Sequence, residues 1–266
     1  MRCTIARLAF IPWAATALGQ TTADGWTIPG RFDLITTDEM GHVYALQGDE
    51  LILFDTQGQE RLRNSVKTFG RIAVIDAFYS FKPMVFSPGQ GQLAVLDNTL
   101  AVQGSIIHLP RNGFPQVVLV CMSVQNGFWL FDERDLQAIR VDAQLRRHAD
   151  TGRLDQLLGF TPKPVAMQEY DSRLYMNDPK EGILVFDLFG TYVRTIPIRG
   201  ATRFEVRGHT IVYVAEGRPW AYDMRDFTTT PLELGAKHLI DVRVERGLVY
   251  LHEAERIRVL RWPRTP

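Results

Sequence analysis

Residues 173–190 read RLYMNDPKEGILVFDLFG, and this stretch shows the repeated pattern most clearly. It contains two apolar runs of strand length, and each run ends at an aspartate, Asp178 or Asp187. Residues that favour turns, namely Asn, Asp, Pro and Gly, separate and follow the two runs. The stretch therefore predicts two short strands, each followed by a tight turn.

The first of these runs recurs along the chain at intervals near forty residues. The central residues of its six copies, which we call anchors, are spaced by 50, 35, 46, 38 and 37 residues. Such a period is typical of propeller blades. The copies are GHVYALQ at 41–47, GQLAVLD at 91–97, GFWLFD at 127–132, RLYMND at 173–178, TIVYVAE at 210–216 and GLVYLHE at 247–253. Their anchors are Tyr44, Ala94, Trp129, Tyr175, Tyr213 and Tyr250.

Other strand-like runs accompany each anchor. An apolar run ending in an acid follows most anchors, at 51–55, 138–142, 183–187 and 219–223, although the second repeat lacks that acid. One run precedes each anchor and a more polar run ends the repeat, which gives four short strands per repeat. This pattern predicts an all-β, six-bladed β-propeller of four-stranded antiparallel blades. A β-sandwich would not repeat four strands six times. The only helical turn expected is LDQLLG at 154–159.

The last repeat provides a way to close the ring. It contains three recognisable strands and ends at Trp262 and Pro263, so its outer strand is missing. The apolar triplet Trp26-Thr27-Ile28 precedes the first innermost strand. Because an open ring would leave sheet edges unpaired, we expect an N-terminal strand containing Trp26 to complete the last blade.

The N-terminus has the order of a signal peptide. Arg2 and Arg7 precede an apolar run at 8–18, and Ala17-Leu18-Gly19 offers small residues at a cleavage point. The run is too short to span a bilayer, and no later stretch reaches eighteen apolar residues. We therefore expect residues 1–19 to be a signal peptide, residues 20–266 to be one propeller domain, and the mature protein to be periplasmic or secreted.

Composition narrows the choice of partners. Thirty lysines and arginines balance thirty aspartates and glutamates, so the chain lacks the basic balance typical of nucleic-acid binding. After cleavage Cys121 is the sole cysteine, which rules out an internal disulfide, and its apolar neighbours predict a buried, unreactive thiol. We expect a monomer without a transmembrane segment.

Residues 173–190 resemble one copy of an NHL-type, TolB-like six-bladed propeller repeat, in which an apolar-Tyr-x-x-Asp phrase precedes an apolar-Asp-x-x-Gly phrase. Residues 41–58 are a looser copy, with Gln47 in place of the acid. The second repeat departs further, since it lacks both the aromatic anchor and the second acid. Residues 70–132 are similar to a family of exported bacterial propellers without assigned activity. This resemblance implies architecture rather than chemistry.

Two sets of repeated residues are candidates for structural roles. The aromatic anchors Tyr44, Trp129, Tyr175, Tyr213 and Tyr250 are expected to pack between blades rather than to form a carbohydrate platform. Three residues past each anchor, five of the six positions are acidic, and we interpret these acids as acceptors of backbone N–H groups in hairpin turns. The alternative is an acidic ring that binds a cation or a basic partner. The five acids are Asp97, Asp132, Asp178, Glu216 and Glu253.

The sequence contains no catalytic motif of the common hydrolase, zinc or phosphate-loop types. We assign no catalytic residue, no cofactor and no metal ligand. We therefore favour an exported, non-enzymatic interaction module of the bacterial cell envelope that binds a protein or peptide through loops on one face. The alternative is a cation-dependent, lactonase-like hydrolase or small-ligand binder that uses the central channel, with Glu169, Asn126 and Asp178 as a conceivable calcium trio. A deep polar pocket would favour the alternative, and an exposed aromatic patch would favour the interaction module.

Overall fold

The computed structural model describes residues 25–65, 69–77, 82–236 and 238–262. Residues 1–24, which contain the predicted signal peptide, lie outside the described part of the chain. The strands of the described part form six sheets, each with four antiparallel strands. The prediction of a six-bladed β-propeller is confirmed.

Blades 1 to 3 each use four consecutive strands, ordered from the channel outward. In blade 1 these are β2 (Leu34–Thr37), β3 (Val43–Gln47), β4 (Glu50–Phe54) and β5 (Glu60–Ser65). In blade 2 they are β6 (Val74–Asp76), β7 (Met84–Ser87), β8 (Gln92–Val95) and β9 (Ile107–His108). In blade 3 they are β10 (Val117–Ser123), β11 (Gly127–Asp132), β12 (Gln137–Val141) and β13 (Arg147–Asp150).

Blades 4 and 5 follow the same plan, and blade 6 takes its outer strand from the N-terminal part of the chain. Blade 4 consists of β14 (Ala166–Tyr170), β15 (Arg173–Asp178), β16 (Gly182–Asp187) and β17 (Tyr192–Ile196). Blade 5 consists of β18 (Ala201–Arg207), β19 (Thr210–Ala215), β20 (Arg218–Asp223) and β21 (Thr229–Pro231). Blade 6 consists of β22 (Asp241–Glu245), β23 (Leu248–Glu253), β24 (Arg256–Arg261) and β1 (Trp26–Pro29).

The N-terminal strand closes the ring as expected. Trp26 pairs with Val259 and Ile28 pairs with Ile257, so β1 covers the outer edge of β24. Ile28 is buried between blades 6 and 1. The side chain of Trp26 packs edge-on against Tyr250 of the same blade. Closure therefore combines a backbone ladder with apolar packing.

The core is divided among the blade interfaces. Six apolar clusters fill the spaces between neighbouring blades. Trp129, for example, is fully buried against Leu174 and Phe186 of blade 4. Each sheet thus buries both faces, which explains why its strands are apolar runs rather than strictly alternating ones.

One anchor was placed on the wrong strand by the sequence analysis. The phrase containing Ala94 lies on β8, the third strand of blade 2, whereas the second strand is β7. Its anchor equivalent is Met84, which pairs with the innermost strand as Tyr44 does. The spacings around it become 40 residues (44 to 84) and 45 residues (84 to 129). The prediction that the second repeat lacks the acid after its third strand is wrong, because Asp97 is that acid.

Tyr213 is also shifted, by one residue. It contacts the cluster between blades 4 and 5, together with Tyr175, so it points toward the preceding blade. Val212 occupies the place of the other anchors and contacts blade 6. Because side chains alternate along a strand, a one-residue slip reverses the face.

The predicted helical turn is present as α1 (Leu154–Leu158), in the connection between blades 3 and 4. Gly159 ends it with φ of 75°. Among the described residues no helix is long and apolar enough to cross a membrane.

Candidate functional site

The six innermost strands surround a central channel that contains a cavity of about 290 Å³. We call the end at which these strands begin the entry face, and the end at which they finish the exit face. The hairpins between second and third strands open on the entry face, and the turns between third and fourth strands lie on the exit face. A cavity of this size is at the lower limit of the range of about 300–1,000 Å³ found for small-molecule pockets.

Six equivalent positions near the entry face line the cavity, and we call them the entry ring. Each lies on the innermost strand of its blade and pairs with a residue of the second strand. That second-strand residue lies two positions after the anchor, or after the residue that takes the anchor's place in blades 2 and 5. Four are apolar and two are charged. The entry ring consists of Leu34, Val74, Leu119, Ala166, Arg203 and Asp241.

Two residues further along each innermost strand lies a second layer of side chains, and several of these side chains bond to the neighbouring blade. Asp76 accepts a hydrogen bond from the backbone N–H of Met122 at 2.8 Å. In the same way Gln168 accepts from the N–H of Val206 at 2.8 Å. Because innermost strands have an open edge, their N–H groups need partners from outside the sheet.

We call such a side-chain bond to a backbone N–H group of the next blade a joint, and it recurs at two other positions of this layer. Glu205 accepts a hydrogen bond from the N–H of Val244 on blade 6. The thiol of Cys121 receives the N–H of Glu169, and burial raises its pKa well above the ordinary value. Cys121 is thus buried as expected. These joints were not predicted from the sequence, in which their sign is a polar residue within an otherwise apolar innermost strand.

Buried ion pairs line the channel on blades 5 and 6. The Arg243 guanidinium lies 2.8 Å from the Asp241 carboxylate. Arg207 pairs with Glu245 and lies 3.5 Å from Glu205. Burial raises the pKa of Glu205. Charges removed from water need such partners, so these groups stabilise one another.

The predicted hairpin acids do not form one set. Asp132 Oδ1 accepts N–H bonds from Arg134 and Asp135 at the turn after the second strand of blade 3. Asp178 Oδ1 does the same in blade 4 with the N–H groups of Lys180 and Glu181.

The other three acids behave differently. Glu253 pairs with Arg256 and Arg258 rather than with backbone groups. Glu216 is exposed, with φ of 53°. Asp97 ends a third strand and therefore lies on the exit face. The five acids consequently do not make a ring on one face.

Asp97 belongs to a second set of turns, between third and fourth strands. In these turns an aspartate Oδ1 accepts the N–H groups two and four residues later. A later residue donates its N–H to the aspartate carbonyl and has positive φ. The aspartates of this set in blades 1 to 4 are Asp55, Asp97, Asp142 and Asp187; Asp223 starts the corresponding turn of blade 5.

The residue with positive φ differs from blade to blade. In blades 1 and 4 it is Gly58 or Gly190, which adopts this conformation without steric cost. Leucine occupies it in blades 2 and 3, where Leu100 is buried and Leu145 is partly buried against the core. In blade 5 the turn is one residue longer, and Phe227, four residues after the aspartate, closes it with φ of 63° and a side chain that is 62% exposed. A bulky residue is a conformational outlier there.

Phe227 is one of several exposed apolar residues in the outer turns and strands of blades 4 and 5. Phe189, in the equivalent turn of blade 4, is 79% exposed, and Val193 on the following strand is 45% exposed. Tyr192 packs edge-on against Phe186 while remaining partly exposed. We call Phe189, Tyr192, Val193 and Phe227 the exit-face patch.

The structure does not bring the conceivable calcium trio together. Glu169 is buried, and its carboxylate accepts bonds from Ser123 Oγ at 2.5 Å and Trp129 Nε1 at 2.7 Å. Glu169 pairs opposite residue 174, four positions before Asp178, a separation of about 13 Å along the strand. Within the described ranges no group of three or more His, Cys, Asp or Glu residues is placed to hold a metal ion.

Comparisons with known proteins place the fold but not the chemistry. No family model matches the sequence, and no curated protein matches it significantly. A streptogramin B lyase structure is 12% identical, with a TM-score of 0.60 over 88% of this chain and 96% of that one. Virginiamycin B lyase from Staphylococcus aureus is 9% identical, with a TM-score of 0.61 over 90% and 99%. The Pan2 WD40 domain of Neurospora crassa is 7% identical, with a TM-score of 0.61 over 89% and 90%.

Proposed function

We propose that this protein is an exported, non-enzymatic interaction module of the cell envelope, which binds a protein or peptide partner through the exit-face patch. The observation that carries the proposal is the exposed, positive-φ Phe227. Local strain on an exposed residue is a reason to look for function there.

Packing supports a role for Phe227 outside the fold. Leu100 closes the shorter turn of blade 2 with positive φ and is 1% exposed, so burial in the core offsets its conformational cost. Phe227 has no comparable burial, and glycine would satisfy the same turn. Among the described residues, burial therefore does not offset the conformational cost of Phe227, and contact with a partner would offset it.

The surroundings of the patch suit a binding surface. Exposed aromatic residues are enriched among residues that dominate binding energy. Polar groups that already have partners lie beside them: Arg225 pairs with Asp223 at 2.7 Å, and the Tyr192 hydroxyl lies 2.8 Å from Thr195 Oγ1. An apolar centre with a satisfied polar rim is the usual anatomy of a protein interface.

The structural neighbours differ in function, so they do not indicate which function this protein has. Two are described as lyases, one of which has a structure with quinupristin, and the third is a WD40 domain. A fold shared by such different proteins does not assign an activity. Our proposal therefore rests on the patch.

Export is the second part of the proposal and rests on residues 1–19. We expect cleavage after Gly19, so that the mature chain begins at Gln20. N-terminal sequencing of protein from the native envelope fraction tests this. A chain that retains Met1 would overturn the export part and leave the patch to be judged separately.

The patch is tested by affinity capture from the envelope fraction, followed by titration of the purified candidate. The test variant combines Phe189→Ser with Phe227→Gly, which suits the turn. Its matched control is Leu157→Ser, because Leu157 is 49% exposed on α1, away from the patch. We expect the test variant to bind at least tenfold more weakly than the wild type. Equal binding by the test variant, or an equal loss in the control, would refute the proposal.

A further inference from the structure

The entry ring contains one charged group that the fold does not use. Arg203 lines the cavity and belongs to the innermost strand of blade 5. Within the described part of the chain its guanidinium makes no ion pair and no hydrogen bond, although its charge acts on buried His252. The two other arginines of the cavity wall are paired, Arg207 with Glu245 and Arg243 with Asp241.

The neighbouring acid of the entry ring already has partners other than Arg203. Asp241 is the other charged member of the entry ring. Its Oδ2 accepts a bond from Arg243, and its Oδ1 accepts one from the N–H of Val242 at 2.8 Å. The one acid of the entry ring is therefore engaged by Arg243, and the Arg203 guanidinium has no paired carboxylate within the ring.

The opposite wall of the ring is apolar. Leu34, Val74, Leu119 and Ala166 come from blades 1 to 4, and they contribute no charged or hydrogen-bonding side chain. Arg203 thus shares the entry ring with four apolar side chains, whereas the acids deeper in the cavity wall, Asp76 and Glu205, already accept hydrogen bonds from backbone N–H groups. An entry ring of this kind suits a ligand with an anionic end and an apolar body.

Two further polar atoms of the cavity wall point to a ligand. Thr37 Oγ1 and Arg243 Nε are both buried, and among the described residues neither atom has a hydrogen-bond partner. Buried polar atoms without partners are rare in native proteins. Thr37 is 2% exposed, so bulk solvent does not satisfy its hydroxyl.

We infer that the channel is a binding site for a small carboxylate with an apolar body, held by Arg203 at the entry ring. A carboxylate matches the planar donor geometry of a guanidinium. The cavity volume of about 290 Å³ restricts the ligand to a small molecule or to one terminal residue of a peptide. This site lies in the channel and is independent of the exit-face patch.

The binding test uses isothermal titration of the full purified protein with matched probes. The probes are 3-phenylpropanoate, its uncharged amide, and inorganic phosphate. We expect the acid to bind at least tenfold more tightly than the amide, since a hydrogen bond to a charged group is the stronger kind. Phosphate should bind more weakly than the acid because it lacks the apolar body. Equal affinity for acid and amide, tighter binding of phosphate, or no binding of any probe would overturn the inference.

Substitutions assign the charge to one residue. Arg203→Gln should lower the affinity for the acid at least tenfold, and Arg203→Lys should lower it less. Arg218→Gln, an exposed arginine of the same blade, serves as the control and should bind as the wild type does. If Arg203→Gln fails to fold, the acid-to-amide ratio of the wild type still decides. An unchanged affinity in a folded Arg203→Gln variant would overturn the assignment.

The source of the carboxylate is resolved by two further probes. These are a tetrapeptide ending in phenylalanine with a free C-terminus and the same peptide amidated. Tighter binding of the free peptide than of 3-phenylpropanoate identifies a peptide C-terminus, and the reverse order identifies a free acid. Because neither measurement involves the exit-face patch, failure of this site leaves the proposed function untouched, and the converse also holds.

Discussion

In each turn between a third and a fourth strand, one residue has positive φ. The identity and burial of that residue indicate whether it serves the backbone, the core or a binding surface. Glycine at this position serves the backbone alone, as Gly190 does. Leu100 combines the turn with burial in the core. Phe227 has the conformational cost without the burial, which is the physical basis for assigning it to a binding surface.

Replacing Phe227 with glycine should stabilise the protein. Removing a bulky residue from the left-handed region relieves about 1–2 kcal/mol, and the flexibility of glycine in the unfolded chain offsets about 0.5–1 kcal/mol. We expect a gain of about 0.5–1 kcal/mol in the free energy of unfolding, measured by urea denaturation. Leu100→Gly is the matched control and should destabilise, since it removes a buried side chain. A less stable Phe227→Gly variant would show that Phe227 serves the fold.

His252 should make stability depend on pH. It is fully buried, with Nε2 3.0 Å from the Phe32 carbonyl, and burial lowers its pKa below the ordinary value. Nearby Arg243 and Arg203 lower this pKa further, while Asp241 raises it. Below pH of about 6.5 the unfolded chain therefore binds a proton that the folded chain does not, and stability falls as pH decreases.

The contribution of His252 is measured as the change in the free energy of unfolding with pH. Wild-type stability between pH 6.5 and 5.5 is compared with that of His252→Gln by urea denaturation at each pH. We expect a smaller loss on acidification in the variant, by up to about 1.4 kcal/mol per pH unit. His209→Gln, at an exposed position, should keep the wild-type slope. Equal slopes in the wild type and His252→Gln would contradict the account.

At the scale of elements, the sequence predicted strands better than it predicted their register. The aromatic anchors and terminal acids identified the second strands of most blades. Blade 2 was misassigned because β7 has Met84 rather than an aromatic residue at the anchor position, and β8 happens to be followed by Asp97. The slip at Tyr213 arose because apolar residues occupy both faces of β19, so the alternation that fixes register is absent.

The features of the channel were not predictable in the same way. Joints such as Asp76 to Met122 connect residues 46 apart in sequence, and a single polar residue in an apolar strand does not reveal its partner. The free charge of Arg203 depends on which acids the other arginines use. Likewise the exposure of Phe227 could not be read from a chain in which most aromatic residues are core residues.

Ring closure by β1 predicts a large effect from a small deletion. Removing residues 25–29 exposes the edge of β24 and the apolar surface that Ile28 covers. Loss of a buried isoleucine costs about 2–5 kcal/mol, so the melting temperature should fall by at least about 5 °C.

Two substitutions on the same strand separate packing from general disturbance. Ile28→Ala should reproduce part of the loss, whereas Thr27→Ala, at an exposed position, should be nearly neutral. Thermal unfolding monitored by circular dichroism measures all three variants. A deletion variant that melts at the wild-type temperature would show that β1 does not hold the ring closed.

At the scale of the whole molecule, the repeat is nearly symmetric in its scaffold and asymmetric in its surfaces. All six blades share four strands and an apolar interface with each neighbour. The exit-face patch belongs to blades 4 and 5, and the charged wall of the channel belongs to blades 5 and 6. Because symmetry explains the scaffold, the departures from it are the places to look for function.

The most direct test of the proposed interaction is photo-crosslinking in the native envelope. A benzophenone-bearing phenylalanine analogue replaces Phe227 or Phe189, and Leu157 serves as the control position. We predict a light-dependent adduct of one defined mass from both patch positions and none from position 157. The absence of an adduct at 227 and 189, or the same adduct from position 157, would contradict the assignment of the exit-face patch as the partner-binding surface.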